Sequence, residues 1–191
     1  MGNFVSEAMN QSVLVLPPYD FNDDLQWKRK GQIMAHLDAP AFLAGLLRHS
    51  GEALHSAGAK MPADRLVWHA TPEETPGRDA LDQLAECAYL NEWAAAAYRA
   101  GAVPAFNGEE YNAQKSAHKT HGTALSAFKA NTDALADAVA AFPADQLGDT
   151  ITNPITGQAC SWGDFAMFFY WNNVYHEGQV NYIQVLYGDL D

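Results

Sequence analysis

The chain has 191 residues, 48% hydrophobic and 12% aromatic, which supplies one compact core and excludes a disordered or fibrous chain. Its 23 acidic side chains against 11 Lys and Arg give a formal net charge of -12, and no basic block reverses that sign locally, so a nucleic-acid partner is excluded.

Residues 1–22 carry Pro17, Pro18 and Asn22 without a sustained period and read as an N-terminal arm, leaving 23–191 as a single helical domain. The first ten residues contain Glu7 and no basic-then-apolar pattern, so no secretory signal is expected. Val13-Leu14-Val15-Leu16 is too short to span a bilayer, so a cytoplasmic protein without a membrane partner follows. Cys87 and Cys160 are then expected to stay reduced. A short helix is predicted from Asp23 or Asp24 to about Leu37.

Asp38-Ala39-Pro40 supplies an N-cap and a first-turn proline for a helix carrying Phe42, Leu43, Leu46, Leu47 and Leu54, with Gly58 as its stop. Three prolines between Lys60 and Gly77 predict a loop packed through Trp68. Asp79 with Asp82 opens the next helix, through Leu81, Leu84, Ala88, Leu90 and Trp93 to about Arg99, and Gly101 closes it. A loop with Pro104 and Gly108 follows. Leu125, Phe128, Leu135, Val139 and Phe142 mark one face of a third long helix ended by Pro143. Residues 149–157 have turn chemistry, and Ser161 with Asp164 opens a last helix from about Trp162 to Tyr187, stopped by Gly188. No run alternates long enough to predict a sheet. The expected class is all-α: a four-helix bundle with crossover loops and an extra N-terminal helix.

The last helix is the informative one. Its expected buried line is Phe165, Phe169, Asn172, His176, Gln179, Ile183, Leu186, and the three polar members need partners from one another, a metal or water. Gly178, inside the helix, points to close approach of a backbone or a ligand.

The stretch Asn172-Asn173-Val174-Tyr175-His176-Glu177-Gly178-Gln179 resembles the final-helix motif H-x-x-x-H-R-G-Q of the DinB-like (YfiT-like) superfamily. Asp79 to Glu86 is similar to that family's second-helix signature, and Trp68 with its proline-rich loop matches too. The resemblance spans roughly residues 40–188. It implies a divalent-metal site, nickel, zinc, manganese or iron, held from the second and last helices, with Glu86, Asn172 and His176 at the family's three histidine positions. Only His176 keeps the family residue; Glu86 and Asn172 shift the donor set toward oxygen. His121, four residues before Leu125, is the candidate fourth ligand.

Two functions stay open from these residues. One is a metal-dependent transferase or isomerase using low-molecular-weight thiols such as bacillithiol or mycothiol, with His176 as anchor ligand, Glu86 as ligand or base and Asn172 as an orienting amide. The other is a non-catalytic, small-molecule-binding or stress-associated helical homodimer, whose Glu-Asn-His centre is a hydrogen-bond network and whose last helix supplies an interface. Signatures of nucleotide-binding loops, serine hydrolases and zinc proteases are absent.

Overall fold

A computed structural model describes residues 38–69, 77–118 and 120–189. The arm at 1–22 and the helix expected at 23–37 lie outside these residues. The protein is mostly helical, with helices α1 (Ala39–Lys60), α2 (Ala80–Ala100), α3 (Gly108–Ala117), α4 (His121–Ala140) and α5 (Trp162–Tyr187).

The caps fall where the sequence puts them. Asp38 accepts from the Ala41 backbone N–H at 3.0 Å, and Asp79 accepts from that of Asp82 at 2.7 Å. Ser161 and Asp164 form both halves of a capping box, and Gly101 and Gly188 end α2 and α5 in the left-handed region at φ 61° and 99°. Trp68 packs its loop edge-on against Tyr187, ring centroids 5.8 Å apart.

Three local expectations are corrected. Gly58 does not stop α1, which runs on to Lys60. It is buried, and a Cβ there would sit 3.0 Å from methyls of Leu84 and Leu125, so its small size serves close helix packing. The connection after Gly101 contains α3, capped by Asn107 and carrying Glu109 and Glu110 in its first turn, where they favour the helix dipole. It buries no residue fully, so it lacks the apolar period that reveals a helix. Strands Thr150–Thr152 (β1) and Ala159–Ser161 (β2) pair antiparallel around Ile151↔Cys160, too short for alternation to register.

α1 packs against α4 and α5, and α2 packs against α4, α5 and α3. Two apolar clusters fill the space between the long helices. One joins Leu47, Leu90, Leu135, Val139, Trp162, Phe165 and Phe169; the other joins Leu54, Leu84, Leu125, Phe128, Val180 and Ile183. Reading residue numbers from the first cluster to the second, α1 and α5 ascend while α2 and α4 descend. Two consecutive long helices that run parallel, α2 and α4, need a return connection, and α3 lies within it against α2. No described helix is long and apolar enough to cross a membrane.

Candidate functional site

A polar layer separates the two apolar clusters, with one buried side chain from each long helix: Ser50, Asn91, Thr132 and Asn173, none more than 1% exposed. Asn91 Nδ2 donates to Thr132 Oγ1 at 2.8 Å and to Asn173 Oδ1 at 3.4 Å; Asn173 Nδ2 donates to Ser50 Oγ at 3.3 Å. Thr132 Oγ1 donates back to the Phe128 carbonyl at 2.7 Å, closing the layer on its own helix. Buried polar groups cost about 1–3 kcal/mol each when unpaired, so this layer fixes the mutual register of four helices.

One turn further along α2 and α5 lies the second layer. His176, 2% exposed, sets Nε2 at 3.2 Å from Glu86 Oε1, and its Nδ1 faces Gln83 Oε1 at 3.0 Å and Gln179 Oε1 at 2.9 Å. Glu86 Oε2 takes an ion pair from the Arg78 guanidinium at 2.5 Å and a hydrogen bond from the Tyr111 hydroxyl at 3.0 Å. Burial alone would raise the Glu86 pKa, but the His176 hydrogen bond and the charge of Arg78 outweigh it and hold the carboxyl at about 2. Arg78 also pairs with Asp82 at 2.6 Å, and Lys115 of α3 pairs with the other Asp82 oxygen at 2.6 Å. Tyr111 and Lys115 thus fasten α3 onto α2.

Of the residues singled out by sequence, Glu86 and His176 are brought together. Asn172 is half-buried and donates its amide to Cys87 Sγ at 3.4 Å. His121 opens α4 and sets Nε2 at 2.6 Å from the Gly58 carbonyl, capping the end of α1. Burial, then the Glu86 charge, pushes the Cys87 thiol pKa well up, which keeps it a protonated, unreactive group. Both cysteines are free. A Cβ on Gly178 would meet nothing within 4 Å among the described residues, so no described neighbour approaches it closely.

The expected buried line on α5 is corrected at three positions. Phe165, Phe169, His176 and Ile183 are buried as expected, but Asn173 and Val180 fill the positions read as Asn172 and Gln179, and Leu186 is 44% exposed. A helix of 3.6 residues per turn admits both 169–172–176–179–183 and 169–173–176–180–183, so spacing alone does not separate them. Arg78, Gln83 and Tyr111 were also missed. Arg78 and Gln83 had a local signal, lying eight and three residues before Glu86; Tyr111 had none, because α3 itself was unread.

Among the described residues no three or more His, Cys, Asp and Glu side chains gather as a metal-holding group. The donor chemistry agrees with that geometry. Both Glu86 oxygens and both His176 nitrogens have protein partners, and the Glu86 oxygen nearest Arg78 already faces a cation. A divalent metal does not fit this arrangement unless Arg78 withdraws.

No family model, curated protein or solved structure matches the chain.

Proposed function

We propose that this protein is a non-catalytic, small-molecule-binding member of the DinB-like four-helix type, cytoplasmic and homodimeric, in which an internal cation stands where relatives hold a metal. One observation carries the reading: the Arg78 guanidinium sits 2.5 Å from Glu86 Oε2. Arg78 supplies fixed positive charge to the Glu86–His176 pair, so the carboxylate is neutralised without a bound ion. The up-down-down-up order of the four long helices, with one long return connection, supports the bundle type.

The test is metal analysis of tag-free protein together with melting curves in Ni²⁺, Zn²⁺, Mn²⁺ and Fe²⁺. The expected result is less than 0.1 equivalent of metal, by order of magnitude, and no rise in Tm. A stoichiometric metal, or a Tm rise that saturates with one of these ions, overturns the reading. It would instead favour the metal-dependent thiol transferase or isomerase, with Glu86, Asn172, His176 and His121 as its candidate ligands.

The homodimer rests on a stripe of exposed side chains on α5. Trp171, Tyr175, Tyr182, Val185 and Leu186 are 63, 61, 63, 51 and 44% exposed, and Gly178 lies midway along the stripe. Two copies crossing antiparallel at Gly178 would set Trp171 against Val185 and Leu186, and Tyr175 against Tyr182, so the surface is complementary to itself about a two-fold axis. The stripe offers roughly 500 Å² per copy, close to the 600–1,000 Å² per partner of a standard interface once a rim is added. Gly178→Ala is expected to stabilise the monomer by about 1 kcal/mol, since the added methyl meets nothing among the described residues and helix propensity improves. The same methyl is expected to weaken self-association at least tenfold in sedimentation equilibrium. Unchanged dimer affinity in Gly178→Ala, with Trp171→Glu also still dimeric, would sink this interface.

A further inference from the structure

A cavity of about 320 Å³ opens between α2, α3 and the loop joining them, lined by Tyr89, Glu92 and Trp93 of α2, Pro104 of the loop, and Glu110 and Gln114 of α3. Its walls combine two aromatic side chains with two carboxylates, and among the described residues no Lys, Arg or His lines it. Tyr89 is only 8% exposed and Trp93 is half-buried, so both rings are largely shielded from water. The rings themselves are fixed, Trp93 edge-on to Phe106 at 5.9 Å and Phe165 at 5.8 Å, and Tyr89 against Tyr111 at 5.5 Å. Burial and then the charges of Glu110 and Glu92 raise the Tyr89 pKa, so both carboxylates lie near enough for their charge to be felt there.

The geometry points to a binding site for a small organic cation: an ammonium or guanidinium head between Glu92 and Glu110, over the Tyr89 and Trp93 rings, on a short apolar stem. Ring faces attract cations through their quadrupole, and the attraction grows where water is excluded. Two carboxylates with no neighbouring base select the same charge and reject an acid of the same size. The volume lies at the lower end for small-molecule sites, which suits a metabolite-sized guest. The site adjoins the polar centre through Tyr111, whose ring packs on Tyr89 while its hydroxyl holds Glu86. This assignment deepens the small-molecule-binding reading and rests on it, but does not depend on whether the Glu86–His176 pair holds a metal.

The full chain would be titrated with n-butylammonium and n-butylguanidinium, and in parallel with n-pentanol and butyrate, following the five indole N–H signals by NMR. Trp93→Phe serves only to assign the Trp93 signal. We expect both cations to bind at least tenfold tighter than pentanol, butyrate not to bind, and the Trp93 signal to shift. Glu92→Gln with Glu110→Gln, both exposed, should lower cation affinity at least tenfold. Glu52→Gln with Asp145→Asn removes the same charge elsewhere and should leave affinity unchanged. Equal affinity for pentanol and the cations, an equal loss in both double variants, or a Trp93 signal that stays fixed would each overturn the site. Bound metal together with selective cation binding would overturn the metal-free reading alone.

Discussion

Glu86→Gln is expected to destabilise the fold by about 3 kcal/mol at pH 7 and to flatten its acid sensitivity. A carboxyl held at about 2 instead of its ordinary 4.5 stores roughly that much free energy. Between those two pH values the unfolded chain binds a proton that the folded chain does not, so stability falls as pH drops through this window. The contribution is whole above pH 4.5 and gone near pH 2. Glutamine keeps the shape and still offers His176 an acceptor, but its amide nitrogen can meet Arg78 and Tyr111, which are donors themselves. The comparison is denaturant unfolding of both proteins from pH 7 down to pH 2. Other carboxylates titrate there too, so the difference between the two curves is the quantity that matters. It should shrink toward zero as the pH approaches 2; curves that stay parallel would contradict the assignment.

How much of this was legible in the sequence depends on which force set each feature. Helix ends driven by local chemistry were readable, because Asp38, Asp79 and Ser161 cap through atoms within three residues, and Gly101 and Gly188 take positive φ. Glu86 was singled out only by the family resemblance, which sets it beside His176, and no local pattern on α2 marks it. What failed was set by distant neighbours. Asn173 rather than Asn172 is buried because α1 offers Ser50 and α2 offers Asn91 at that level, facts no local window contains. Gly58 reads as a stop locally, but Leu84 and Leu125 need its missing side chain. Helix α3 is held by Tyr111 and Lys115 rather than by an apolar face, so its signal lay in Asn107-Gly108-Glu109-Glu110, a cap and an acidic first turn.

Arg78 links the two halves of the proposal. It precedes α2 and reaches Asp82 and Glu86 on successive turns of the same face, while Lys115 closes the acidic row from α3. The chain's -12 charge is thus locally balanced where α3 docks, whereas Glu92 and Glu110, further along the same two helices, have no basic side chain beside them in the cavity lining. Compensation at one end of the α2–α3 contact and its lack at the other is the asymmetry that an external cation would complete.

The largest packing effect is expected at Gly51. A Cβ there would overlap the Thr132 Cγ2 methyl, and Thr132 cannot step aside freely, because its hydroxyl is held by Asn91 and by the Phe128 carbonyl. Gly51→Ala should therefore cost about 2–3 kcal/mol, the usual penalty for overfilling a packed interior with some loss of the polar layer, despite alanine's better helix propensity. Thr132→Ser keeps the hydroxyl and removes only the methyl, at a cost of about 1 kcal/mol for the small void. Combined, the two changes should nearly cancel, since the new alanine methyl occupies the space that Cγ2 leaves. Urea unfolding of the four proteins would then give a favourable coupling of about 3–4 kcal/mol, far above the few tenths expected of independent sites. Additive costs would mean that α1 and α4 do not meet at this level, and the four-helix polar layer built on Ser50, Asn91, Thr132 and Asn173 would have to be redrawn.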